Sequence, residues 1–228
     1  MTLQTQKVSL VYGDGDKTTY ALQNITLCLP AQGFFGIMGP SGSGKSSLLY
    51  LMSGLKLPSE GRVLYDSVPI SELPARQRAL LRRKKFGFVF QQPFLLNYLT
   101  AKENILTAAV QNDRSAQAHA DLLLQNLGVS HLADRTPAHL SGGEKQRIVV
   151  ARAMMNSPEV IFADEPTAAL DSKNGHAVIN LLRSYRTKGA VVVVTHDASM
   201  LEGADHVFYL QDGMISDDHN HTLFAPSL

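Results

Sequence analysis

The octapeptide Gly39-Pro40-Ser41-Gly42-Ser43-Gly44-Lys45-Ser46 narrows the possible folds of this 228-residue chain more than any other stretch. It satisfies G-x-x-x-x-G-K-[ST] without a mismatch. The apolar run before it, Phe34-Phe35-Gly36-Ile37-Met38, reads as a short buried strand, and Ser46-Ser47-Leu48-Leu49-Tyr50-Leu51-Met52 reads as the start of a helix. Three glycines within six positions permit backbone angles that a Cβ forbids. The loop can then curl its N–H groups inward around an anion, and the following helix aims its positive end at the same point. Lys45 adds a mobile cation that can reach the β- and γ-phosphates of a nucleotide, and Ser46 offers a hydroxyl to Mg²⁺. A plain Gly/Ser turn would bind nothing, but the flanking strand and helix are the setting a phosphate loop needs.

With 44% hydrophobic and 18% charged residues, the chain has the composition of an ordinary globular protein. Its formal charge of +1 gives no electrostatic footprint for nucleic acid. Arg82-Arg83-Lys84-Lys85 is the basic run, read as a solvated helix face or loop. The single cysteine, Cys28, cannot form an internal disulfide and reads as a buried thiol in a reducing compartment. Met1–Gln6 has no basic segment leading into an apolar core, and no run approaches the ~18 apolar residues of a membrane span. The expectation is a cytosolic chain whose membrane role, if any, needs a partner.

In chain order, Lys7 to Tyr12 and Ala21 to Leu29 alternate as strands, separated by the turn cluster Gly13-Asp14-Gly15-Asp16. Residues 62–65 and 68–70 form a hairpin pattern, giving a small antiparallel sheet beside the phosphate loop. Tyr12 either offers a ring face to a base or is a half-buried strand tyrosine. Phe86-Gly87-Phe88-Val89-Phe90 is a buried strand running into Gln91-Gln92-Pro93, where Gln91 can bind a metal, orient a water or cap a loop. From Leu99 to about Asn156 the pattern is helical. Thr100 and Glu103 have capping-box spacing, and Ala120, Leu123, Leu124 and Leu127 share one face ending at Gly128. Ser141-Gly142-Gly143 opens a further helix, Glu144 to Met155. That makes either a second anion site or only an N-cap and turn.

Glu159 to Ala163 is a buried strand ending in Asp164-Glu165. Asn174 to Arg186 is helical, and Ala190 to Val194 is a buried strand ending in Thr195-His196. Strands alternating with helices imply a parallel sheet, whose carboxyl edge would gather these polar ends. Asp164 is placed for Mg²⁺, Glu165 for an attacking water and His196 for the γ-phosphate. Residues 207–215 close the sheet with a hairpin, and Asp217-Asp218-His219-Asn220-His221 reads as a solvated tail.

The order of these features, from Gly39–Ser46 through Gln91, Leu140-Ser141-Gly142-Gly143-Glu144, Asp164-Glu165 and Ala169-Leu170-Asp171 to His196, resembles the ATPase subunits of ATP-binding cassette (ABC) transporters over nearly the whole chain. Tyr12-Gly13-Asp14-Gly15, Leu99-Thr100-Ala101-Lys102-Glu103-Asn104 and Phe162-Ala163-Asp164-Glu165-Pro166-Thr167 are similar to the group serving macrolide exporters, lipoprotein-release complexes, haem exporters and the FtsE-type division complex. Ala168 departs from the Gly or Ser common there. No C-terminal regulatory domain of the sugar-importer kind is visible.

The resemblance implies an α/β fold: a phosphate-loop NTPase core with a mostly parallel sheet, a small antiparallel β subdomain and an inserted α-helical subdomain. Residues 1–228 would form a single domain, with the core at about 1–98 and 157–228 and the helical insert at about 99–156. It implies ATP and Mg²⁺ as ligands, a head-to-tail dimer with a second copy, and attachment through a permease to the cytoplasmic face of the inner membrane. ATP would lie on Gly39–Ser47 of one copy, Lys45 included, under Ser141, Gly142, Gly143 and Glu144 of the other. Tyr12 would stack on adenine. Ser46, Gln91 and Asp164 would hold Mg²⁺, Glu165 would polarise water, His196 would touch the γ-phosphate and Asp171 would communicate across the dimer. The exposed apolar stretch Pro93-Phe94-Leu95-Leu96 would meet the permease. The FtsE-type alternative signals across a membrane without transport. A phosphate-loop kinase would have no use for Ser141-Gly142-Gly143.

Overall fold

The computed structural model describes residues 3–14 and 17–216. Gly15, Asp16 and the Asp217–His221 tail lie outside the described residues. The strands are β1 (Leu3–Asp14), β2 (Lys17–Leu29), β3 (Gly33–Met38), β4 (Glu60–Tyr65), β5 (Val68–Pro69), β6 (Phe86–Phe90), β7 (Val160–Asp164), β8 (Ala190–Val194), β9 (His206–Gln211) and β10 (Met214–Ile215). The helices are α1 (Lys45–Met52), α2 (Ala75–Lys85), α3 (Ala101–Leu106), α4 (Arg114–Asn126), α5 (Gly142–Met154) and α6 (Ser172–Ser184).

The continuous apolar runs become a six-stranded sheet in the order β10-β9-β3-β8-β7-β6. Strands β9, β3, β8, β7 and β6 are parallel, and β10 pairs antiparallel at the edge. Alternate residues feed two cores. Phe34, Val89, Ile161, Ala163, Val191 and Val193 pack on the side of α3, α4, α5 and α6. Phe35, Ile37, Val160, Phe162, Val192 and Val194 pack towards α1 and the second sheet. Both faces are therefore covered, which is why these strands read as unbroken apolar runs.

The second sheet is antiparallel, in the order β2-β1-β4-β5. Its strands alternate, and this corrects the reading of Cys28. Ile25, Leu27 and Leu29 are buried, so Cys28, out of phase with them, is half-buried on the other face rather than in the core.

Helix starts follow their caps. Thr100 and Glu103 form a capping box on α3, Ser141 and Glu144 form one on α5, and Asp113 and Asp171 cap α4 and α6. Gly128, at φ 70°, ends the α4 segment. Helix α2 figures in the sequence reading only at Arg82–Lys85, as a helix face or loop. It buries none of its residues, so it has no apolar stripe to betray it. The basic run Arg82–Lys85 is its last turn, where cations suit the helix dipole. Two of these residues are also staples rather than merely solvated: Arg82 donates to Gly54 O (2.9 Å) and Arg83 to Ala109 O (2.6 Å).

Candidate active site

Strand register gathers the polar ends. Ile37 lies opposite Val194, Val194 opposite Asp164, and Asp164 opposite Phe90. Gly39, His196, Glu165 and Gln91 therefore follow at one carboxyl edge, across the adjacent strands β3, β8, β7 and β6. Three inter-strand spacings of ~4.8 Å make that edge roughly 14 Å wide, enough to span a triphosphate.

The phosphate loop takes the shape its glycines allow. Gly39 and Gly44 stand at φ 148° and 99°. A Cβ on Gly39 would come within 2.0 Å of Leu210 O, and one on Gly44 within 2.3 Å of Ala21 O. The loop is thus wedged between β9 and β2 at positions where only glycine fits. Lys45 folds back across it, its Nζ donating to Gly39 O (2.9 Å) and Pro40 O (2.7 Å). The ammonium is nearly buried and paired only with carbonyl oxygens.

Asp164, 8% exposed, ends β7 beneath the loop. Ser46 Oγ donates to its Oδ1 (2.8 Å), and Tyr50 OH donates to its Oδ2 (2.7 Å). Burial, with the Asp164 hydrogen bond and charge behind it, pushes the Tyr50 phenol up to about 12. Among the described residues no three His, Cys, Asp or Glu cluster as a metal cage. The Ser46–Asp164 oxygen pair nonetheless fits Mg²⁺, which is usually held by one or two protein groups together with substrate phosphates.

Glu165 sits at φ 47°, a left-handed conformation costing about 1–3 kcal/mol for a residue with a Cβ. Its N–H donates to Val194 O (2.9 Å), and both carboxylate oxygens lie 3.0 Å from His196 Nδ1. The histidine side chain is 71% exposed and that of Glu165 18%. The histidine therefore projects from the sheet edge beside a largely covered carboxylate, with its Nε2 unengaged by Glu165.

Ser141–Glu144 belongs to other surroundings. Helix α5 packs on α3, α4, α6 and β6, whereas α1 packs on β1, β2, β7 and β8. Ser141 N and Oγ both donate to Glu144 Oε2 (2.7 and 2.8 Å), and these bonds hold the Glu144 carboxyl below its ordinary range. Gly143 lies against Asn174, where a Cβ would meet Oδ1 at 2.9 Å. Asn174 in turn donates its N–H and side chain to Asp171 (2.9 and 2.6 Å), lowering that carboxyl's pKa. The structure thus joins Ser141–Glu144 to the Asp171 turn.

Helix α5 also grips the segment after β6. Gln146 Nε2 donates to Phe90 O (3.1 Å), and Arg152 donates to Phe94 O (2.8 Å) and Pro93 O (2.9 Å). Gln91 itself is exposed. At the far end of the site, Tyr12 is 44% exposed and accepts a hydrogen bond from Lys56 Nζ. Lys56, and then the Ser47 hydroxyl, lower the phenol's pKa, which places Tyr12 beside the first turn of α1. Sequence reasoning missed Tyr50, Lys56, Gln146 and Arg152. Tyr50 carried a usable signal, since it lies one helical turn after Ser46 and so shares its face.

The family model described as "ABC transporter" matches residues 22–168. An uncharacterized ABC transporter ATP-binding protein of Methanocaldococcus jannaschii is 40% identical over 217 residues, covering 93% of this chain and 97% of that protein. The lipoprotein-releasing system ATP-binding protein LolD of Shewanella oneidensis is 41% identical over 218 residues, covering 93% and 95%. The macrolide export ATP-binding/permease protein MacB of Burkholderia thailandensis is 43% identical over 95% of this chain, which spans only 34% of MacB. Among solved structures, the cassette MJ0796, dimeric in a post-hydrolysis state with ADP and Pi, aligns with a TM-score of 0.86 at 36% identity, covering 93% of this chain and 96% of that one.

Proposed function

Since the chain belongs to the ABC transporter ATP-binding family, we propose that it binds and hydrolyses ATP to power a membrane permease of the macrolide-export or lipoprotein-release type. The observation that carries this is the shared carboxyl edge, where the Lys45 loop, the Ser46–Asp164 pair and the Glu165–His196 pair begin within a residue or two of one another in register. In this reading residues 1–228 are one ATPase domain, with a helical insert at about 99–156.

ATP lies on Gly39–Ser47, with adenine on Tyr12 and Lys45 turning from the loop carbonyls to the phosphates. Ser46, Gln91 and Asp164 hold Mg²⁺, which when bound neutralises charge on the phosphate oxygens. Glu165 accepts a proton from the attacking water, held in aim by His196 Nδ1, while His196 Nε2 faces the γ-phosphate. A second copy, head to tail, brings Ser141–Glu144 over the same ATP, adding N–H groups and a helix N-terminus where charge develops. Asp171, tied through Asn174 to Gly143, links that surface to its own protomer. Hydrolysis then depends on dimer closure.

The permease docks on a groove of about 490 Å³ lined by Leu55, Arg82, Phe88, Phe90, Thr107 and Arg152. Phe94, 64% exposed, lies close by, with its ring edge-on to Phe90. No described helix is long and apolar enough to cross a membrane. In this reading the subunit is peripheral, held through the permease at the cytoplasmic face. The deciding experiment is Glu165→Gln. We expect ATP binding to persist, an ATP-dependent dimer to accumulate and turnover to fall ~10²–10⁴-fold. Near-normal hydrolysis would remove Glu165 as the base.

A further inference from the structure

Both oxygens of the Asp164 carboxylate are engaged from the same helix face. Ser46 and Tyr50 stand one turn apart on α1 and donate to Oδ1 and Oδ2 respectively. Rotation about the bond joining a carboxylate to its side chain is soft, so one donor leaves the group free to swing while two opposed donors fix its plane. Tyr50 is itself well anchored. It is partly buried against the core that includes Leu48, Leu49, Phe162 and Val194, and its carbonyl accepts from both Leu55 N and Lys56 N at 3.0 Å. It can therefore act as a rigid strut rather than a passing partner.

We infer that Tyr50 is a positioning residue for the metal side of the site, orienting the Asp164 carboxylate so that Oδ1 and Ser46 Oγ face the metal together. This rests on the proposed role of Asp164 in holding Mg²⁺. The Ser46 hydroxyl can give its lone pair to a cation while its hydrogen stays on Asp164, so the arrangement serves the loaded site without rebuilding. Tyr50 itself touches neither metal nor nucleotide. Its effect is of the outer-shell kind, where loss of one orienting group typically lowers metal affinity 10–100-fold.

The test is Mn²⁺ binding, followed by the paramagnetic resonance of free Mn²⁺, to the ATP-loaded Glu165→Gln chain. Tyr50→Phe removes only the hydroxyl. The expected result is a 10–100-fold rise in the Mn²⁺ dissociation constant, with ATP affinity in EDTA within twofold of the parent, which also reports a folded protein. A purely structural hydroxyl would shift thermal stability and leave the Mn²⁺ constant in place. Asp164→Asn is measured alongside. If it weakens Mn²⁺ binding while Tyr50→Phe stays within twofold of the parent, the positioning role is overturned and the metal assignment stands. If neither weakens binding, the assignment of Asp164 falls and the inference falls with it.

Discussion

Arg152→Met would sever the tie between helix α5 and the segment that follows Gln91. The guanidinium donates to Phe94 O and Pro93 O, and Phe94 sits at φ 44°, a conformation its Cβ disfavours. Burial lowers the guanidinium's pKa, yet it remains the charged donor at neutral pH. Methionine keeps most of the apolar stem and loses every donor. Charged hydrogen bonds contribute about 1.5–3 kcal/mol each. One of this pair is exposed, so the lower end applies and the loss is about 3 kcal/mol. Spread over global unfolding, at roughly 2.1 cal/mol/K per residue, that would lower Tm by about 6 °C. If the segment instead opens by itself, Tm hardly moves and its amides exchange up to ~150-fold faster. The informative amide is that of Leu96, which donates to Asn104 Oδ1 at 2.7 Å. Calorimetry and hydrogen exchange on the same variant capture both routes. A Tm within 1 °C of wild type together with unchanged exchange at Leu96 would refute the claim that Arg152 holds this segment.

Two further outcomes are expected. Lys45→Ala should raise the ATP dissociation constant at least roughly tenfold, since it removes charge-assisted contacts of about 1.5–3 kcal/mol each; isothermal titration giving an unchanged constant would end that role. Burial alone would raise the Glu159 carboxyl's pKa, but Lys85 and Tyr65 outweigh it, so the folded value lies below the ordinary one. The stability from Glu159 is then present above its unfolded pKa of about 4.3 and lost as pH falls through the folded value. The Tm gap between wild type and Glu159→Gln should therefore shrink from pH 7 to pH 3, and a constant gap would count against it.

Much of this protein could be read from its residues because the responsible physics is short-range. The glycines of the phosphate loop, the Thr100–Glu103 and Ser141–Glu144 capping boxes and the Ala190–Val194 strand depend on partners within a few positions or on an unbroken apolar run. Helix α2 was all but illegible for the opposite reason. It carries no buried stripe and is held by neighbours distant in sequence, such as Gly54 and Ala109.

The amino-acid order by itself determined the buried strands of the parallel sheet, the capping boxes that open α3 and α5, and that a glycine loop shaped for phosphate stands between a strand and a helix. Only the tertiary structure decided who meets whom: Tyr50 and Ser46 on Asp164, His196 on Glu165, Arg152 on the turn at Phe94. These contacts join residues 31 to 118 positions apart. Nothing local encodes them, because their geometry is set by the register of β3, β8, β7 and β6 and by the packing of α1 and α5 on those strands, both of which arise only when the strands pair.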